Sequence, residues 1–101
     1  MPAEPLTDRE IEDRLRDLTG WSVADGRLTR RYRLASHFAA AAFTLHVARV
    51  QDELNHHSDL TLGYDTVTVA VSTHDAGGAV TGKDFDLARR IHDAAPAHGA
   101  D

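Results

Sequence analysis

Hydrophobic and polar positions along the chain follow two different periods. In residues 66–73, Val67, Val69 and Val71 alternate with Thr66, Thr68, Ala70 and Ser72, a period of two that predicts a strand with one buried face. Earlier, Leu28, Tyr32 and Leu34 fall on one side of a run with arginines opposite. The run is preceded by Trp21-Ser22-Val23-Ala24 and the tight-turn dipeptide Asp25-Gly26, so this stretch reads as a hairpin. Residues 59–63 are weakly strand-like, and Gly63-Tyr64-Asp65 makes the turn into the strand at 66.

Helical periods occupy the rest. In Leu6-Thr7-Asp8-Arg9-Glu10-Ile11, Thr7 and Glu10 form a capping box and Leu6 and Ile11 a hydrophobic staple. With Ile11, Leu15 and Leu18 on one face and Gly20 as a stop, a helix is predicted at about 8–19. Ser36 offers an N-cap for 37–55, which carries two apolar rows, Phe38, Ala42, Leu45 and Phe43, Val47, Val50, Leu54. A stripe that wide predicts a central helix packed on a sheet. Thr81 and Asp84 make a second capping box with Val80 and Phe85 as its staple, and Leu87, Ala88, Ile91 and Ala95 give the last helix an apolar face that ends before Pro96.

The order α-β-β-α-β-β-α, with short turns between neighbouring strands, predicts an α+β fold: a four-stranded antiparallel sheet with three helices packed on one face. A single domain over 1–101 is expected, with residues 1–5 and 97–101 flexible. No internal repeat is present.

Composition narrows the function classes. No apolar run approaches the ~20 residues that span a bilayer, and MPAEPLTDRE lacks the basic start and apolar middle of a secretory signal, so no membrane partner is expected. The absence of cysteine suits a reducing compartment, and a cytoplasmic location is the expectation. It also removes thiolate chemistry and cysteine-built zinc sites. A net charge of -5 disfavours nucleic-acid binding, and the only dense basic group, Arg27, Arg30, Arg31 and Arg33, reads as the solvated side of a strand.

Seven histidines in 101 residues change the picture. Asp52 and His56 stand four apart at the end of the central helix, where a carboxylate can fix a tautomer, or where a histidine can simply cap carbonyls. His74 continues the even-numbered row of the best strand, or sits at its rim, and can bring a third imidazole toward the paired His56 and His57, suggesting a pocket. A metal site is disfavoured: adjacent histidines seldom face one ion, and His37 and His46 are nine apart rather than four. Nucleophilic hydrolysis lacks a GxSxG turn, and Ser58 beside His57 has no oxyanion-hole signature.

Asp52-x3-His56-His57-Ser58-x5-Tyr64-x9-His74-x9-Asp84 resembles the signature of the pterin-4a-carbinolamine dehydratases, also called 4a-hydroxytetrahydrobiopterin dehydratases. "LTGW" before the hairpin, "NHHS" after the long helix and "STHDAGGAVTGKDFDLA" leading into the last helix extend the resemblance over roughly 6–95. It implies the fold derived above and removal of water from a 4a-hydroxytetrahydropterin to give quinonoid dihydropterin, in tetrahydrobiopterin recycling, with no cofactor and no metal. It also implies that His56 and His74 are the acid/base pair and that His57 chiefly holds the substrate. Asp52 would orient a histidine or bind the pterin's amide edge.

Ser58 and Asp84 are expected at the substrate site, Trp21 as a pocket wall or a core residue, and Tyr64 there or in packing. Asp84 also fits a purely capping role. One departure is Ser58 itself, where the family most often has proline; serine is permitted there, but the backbone after His57 loses proline's stiffness. The resemblance also leaves a second class open, a non-catalytic binding or assembly module of the same fold. Edge strands of a small sheet, and the habit of the family, predict a homodimer or homotetramer.

Overall fold

The computed structural model describes residues 3–101. The elements are α1 (Asp8–Leu15), β1 (Ser22–Ala24), β2 (Arg27–Arg33), α2 (His37–Leu54), β3 (Asp59–Leu62), β4 (Thr66–Val71) and α3 (Gly82–Ala94), with short 3-10 helices at His74–Ala76 and Ala95–His98. The strands form one antiparallel sheet in the order β1-β2-β4-β3, giving the expected α+β arrangement.

Register explains the layering. Leu28 pairs with Val71 and Tyr32 with Val67 across the central β2–β4 ladder, so these side chains share one face and are buried. Against that face pack Phe43, Val47 and Val50 of α2 and Phe85, Leu87, Ala88 and Ile91 of α3, with Ile11 and Leu15 of α1 at its margin. The ring of Tyr32 meets Phe43 edge-on at 5.1 Å, a geometry worth about 0.5–1.5 kcal/mol beyond area burial. Thr68 and Ala70 stand on the opposite face and stay partly exposed.

Four sequence expectations are corrected. First, α1 ends at Leu15, not near 19; Leu18 keeps the apolar spacing from within a turn in which its N–H reaches the Leu15 carbonyl at 3.1 Å. Second, the arginines are not all opposite the apolar row: Arg30 pairs with Val69 on the core face and lays its guanidinium 4.1 Å over the Tyr32 ring, while Arg27 and Arg33 bond Asp59 and Asp65.

Third, only one apolar row of α2 meets the sheet. Phe38 and Leu45 from the other row are 83% and 75% exposed. Fourth, the tail is pinned: Arg33 and Asp101 exchange two backbone hydrogen bonds at 2.9 Å, and Ala100 packs on the core. At the other end, Pro5 bridges Thr81; the expectation for residues 1 and 2 lies outside the described residues.

Candidate active site

The site begins where α2 stops. Asn55 takes the left-handed conformation (φ 50°), which an asparagine tolerates and which ends the helix. The chain then turns so that the His56 N–H reaches back to the Gln51 carbonyl at 3.0 Å. This turn takes His56 out of helical phase with Asp52, and the expected Asp52–His56 pairing does not form. Asp52 instead pairs with Nε2 of His57 at 2.9 Å, on the surface, with side chains 80% and 55% exposed. His56 turns inward, and its Nε2 lies 2.6 Å from Oδ1 of Asp84.

Asp84 is fully buried at the start of α3. Its Oδ2 accepts the Thr81 N–H at 2.8 Å and the Thr73 hydroxyl at 3.0 Å. Thr81 and Thr73 hydroxyls lie 2.6 Å apart, and Thr81 Oγ1 accepts the Lys83 N–H at 3.2 Å. The donors therefore line up in one direction, from Lys83 through Thr81 and Thr73 to the carboxylate, which also sits at the favourable positive end of the helix dipole. With Oδ2 filled by two donors, Oδ1 is the oxygen left to accept from Nε2 of His56. A ring that carries its single proton there keeps its lone pair on Nδ1. Asp84, expected at the substrate site, stands behind His56 with no exposed surface of its own.

His74 arrives from the other side. β4 ends at Val71, and Thr73 then bonds the Ala79 carbonyl through its N–H at 2.9 Å. His74 opens the short turn that Gly77 closes at φ 70°. Of the two placements the sequence allowed, it takes the rim. A cleft of about 300 Å³ is lined by Asn55, His56, His57, Ser72, Thr73, His74, Asp75 and Lys83. Smaller hollows adjoin it, one sharing Asn55, His56 and Lys83, the other His57 and Ser72, the latter also reaching Ser58. Three imidazoles from two distant segments thus border one open cleft. Among the described residues, no three His, Asp or Glu side chains are gathered to hold a metal ion.

Two residues named from the sequence lie elsewhere. Trp21 is buried in the core and donates its indole N–H to the Tyr32 hydroxyl at 3.2 Å. Tyr64 stacks on His37 at 5.9 Å, beside the N-terminus of α2, about 27 Å along the helix from the paired histidines. Conversely, Ser72, Thr73 and Lys83 border the cleft; they lie within the stretch 72–88 that carries the resemblance, but the sequence assigned them no role there.

A second histidine pair, His46 and His98, lies in a larger depression of about 720 Å³ on the outer side of α2, whose lining reaches Asp52 but none of the three cleft histidines. Its rings are 2.8 Å apart from Nδ1 to Nε2, and burial, then the neighbouring His46, lowers the pKa of His98.

Comparison with known proteins bears on the family and the fold. A family model described as pterin 4 alpha carbinolamine dehydratase matches residues 4–94. A protein of Streptomyces coelicolor provisionally named pterin-4-alpha-carbinolamine dehydratase is 68% identical over 100 residues, covering 99% of each chain. One of Roseiflexus castenholzii with the same provisional name is 46% identical, covering 85% of this chain and 91% of its own.

The crystal structure of a transcriptional coactivator/pterin dehydratase from Brucella melitensis superposes with a TM-score of 0.81 at 32% identity, covering 88% of this chain and 96% of that one. A pterin dehydratase-like protein described as a RuBisCO assembly factor of the alpha-carboxysome shares the fold alone, with a TM-score of 0.58 and 18% identity over 72% of this chain and 83% of its own. By the extent of the family match and the identity to these relatives, the chain belongs to the pterin 4 alpha carbinolamine dehydratase family.

Proposed function

We propose that the histidine cleft dehydrates a 4a-hydroxytetrahydropterin to the quinonoid dihydropterin. The observation that carries the reading is the convergence of His56, His57 and His74 on one cleft, with Nε2 of His56 2.6 Å from a buried carboxyl oxygen of Asp84. The reaction breaks the C4a–O bond, forms a double bond between C4a and N5, and releases water. It needs a proton delivered to the departing hydroxyl and one taken from N5.

Nδ1 of His56, unprotonated in the neutral ring, takes the N5 proton. His74, whose residue is exposed and whose imidazole makes no hydrogen bond among the described residues, delivers a proton to the hydroxyl. Imidazoles suit both tasks because their ordinary pKa lies near neutrality, at about 6.5. His57, exposed and paired with Asp52, holds the pterin at the mouth. The activity belongs in tetrahydrobiopterin recycling after aromatic hydroxylation, in the cytoplasm.

The working form is a homo-oligomer, supported by the uncovered row of Phe38 and Leu45 on α2 and by the two free sheet edges, β1 and β3. That same apolar row also favours the second reading, a binding or assembly module, since the names of two relatives of this fold include a coactivator and an assembly factor. The test is to generate the carbinolamine and follow quinonoid product. The parent should accelerate dehydration, and His56→Ala and His74→Ala should each lose about 10²–10⁴-fold, the usual contribution of one general acid or base. A parent that leaves the spontaneous rate unchanged would favour the module.

A further inference from the structure

Gln51 is the one polar residue among the buried positions of α2, with 4% exposure. A buried carboxamide oxygen is costly unless hydrogen-bonded, and this one accepts twice from a single residue: from the Ser58 N–H at 3.0 Å and from the Ser58 hydroxyl. Its backbone carbonyl accepts from the His56 N–H at 3.0 Å and from the N–H of Asn55. One helix residue therefore grips the chain on both sides of the His56-His57 dipeptide.

Without that grip the dipeptide would be held only at its first residue, by the bond of His56 to Asp84, and the chain from His57 to the start of β3 would lack a buried anchor. The ion pair between His57 and Asp52 cannot supply the restraint, because both partners are exposed and such pairs contribute little. Ser58 suits the clamp because it offers two donors, its N–H and its hydroxyl. A proline there would fix φ but have no N–H to give.

We infer that Gln51 is a positioning residue: it orders the segment 56–58 through Ser58 and so sets how well His57 holds the substrate. The inference about substrate rests on the proposed dehydratase reading; the ordering of the segment does not.

The experiment compares Gln51→Leu, Ser58→Pro and the double variant Gln51→Leu/Ser58→Pro in the full chain, by steady-state kinetics on the carbinolamine and by backbone 15N relaxation of residues 56–58. Gln51→Leu should raise KM about tenfold, within the roughly hundredfold that a displacement of about 1 Å can cost, with a smaller change in kcat. The order parameters of 56–58 should fall from about 0.85 toward 0.6. In the double variant proline stiffens the segment and leaves no N–H unpaired, so KM and order should return toward the parent.

Order lost in Gln51→Leu and regained in the double variant supports the clamp even if the parent proves inactive on the pterin, an outcome that would sink only the dehydratase reading. Parent-like order in Gln51→Leu overturns the clamp. So does a double variant no better ordered than the single one, or unchanged KM in an active enzyme.

Discussion

Asp84→Asn is the sharpest probe of the site, because it exchanges one carboxyl oxygen for an NH2 group while leaving shape and volume in place. The two oxygens of Asp84 have different duties: Oδ2 accepts from Thr81 and Thr73, and Oδ1 faces Nε2 of His56. An asparagine must keep its oxygen toward the two fixed donors and turn its NH2 toward His56. Nε2 then has to accept, the ring proton moves to Nδ1, and Nδ1 no longer has a lone pair with which to take a proton.

The expected result is a fall in kcat of about 10²–10⁴-fold, the worth of a general base, with KM little changed. Stability falls less. Replacing a hydrogen bond to a charged group, about 1.5–3 kcal/mol, by a neutral one, about 0.5–1.5 kcal/mol, costs about 1–2 kcal/mol, or roughly 4–16 °C in Tm for a domain of this size. Ser36→Ala is the matched control: it removes the cap of α2, in which the serine hydroxyl accepts from Ala39 at 3.1 Å, for about 1 kcal/mol at the end of the helix far from the site. Progress curves for quinonoid product and thermal melts of both variants decide the matter. Parent-like kcat in Asp84→Asn, or an equal kinetic loss in Ser36→Ala, would refute the tautomer argument.

Three further outcomes follow from other parts of the molecule. His98 titrates below the ordinary histidine range, so the unfolded chain takes its proton first; its contribution to stability is complete above about pH 6.5 and is lost as the pH falls below that. Melts at falling pH should show Tm declining through that window, and His98→Gln should flatten the decline; identical slopes would count against it. Phe38→Asp with Leu45→Asp should reduce the parent's mass in light scattering to that of a single chain, whereas a parent already monomeric at micromolar concentration removes the oligomer reading. Gly20→Ala should cost about 1–3 kcal/mol in urea unfolding, since the backbone there has φ 88° and the new Cβ would fall 2.3 Å from Nε of Arg30, an atom already buried without a partner.

The sequence reveals most where chemistry and spacing are local. Both capping boxes were legible because Thr7 with Glu10, and Thr81 with Asp84, are complete within four residues. Asp25-Gly26 turns the hairpin with φ of 53° and 75°, as that dipeptide is suited to do. Misreadings came where a period outlasts its element or serves another surface. Leu18 extended the helical spacing of α1 past its end, and Phe38 and Leu45 counted as core although the sheet reaches only the other side of α2.

At the site, helical phase alone paired Asp52 with His56. Asn55, a residue that accepts the left-handed conformation, was the signal that the phase breaks there. The three histidines could be brought together by resemblance, but the buried partner of His56 could not be assigned, since Asp84 looked complete as a cap. Gln51 gave no signal, because a glutamine on a helix is ordinarily solvated.

The bond between His56 and Asp84 spans 28 residues of chain and joins the exit of one helix to the entrance of another. A chain cut short before residue 84 would carry all three imidazoles of the cleft and still lack the carboxyl group that one of them bonds. The turn that gathers the histidines is therefore only half of the site. The arrangement is complete only once the last helix docks, so partly assembled molecules would lack the contact that orients His56.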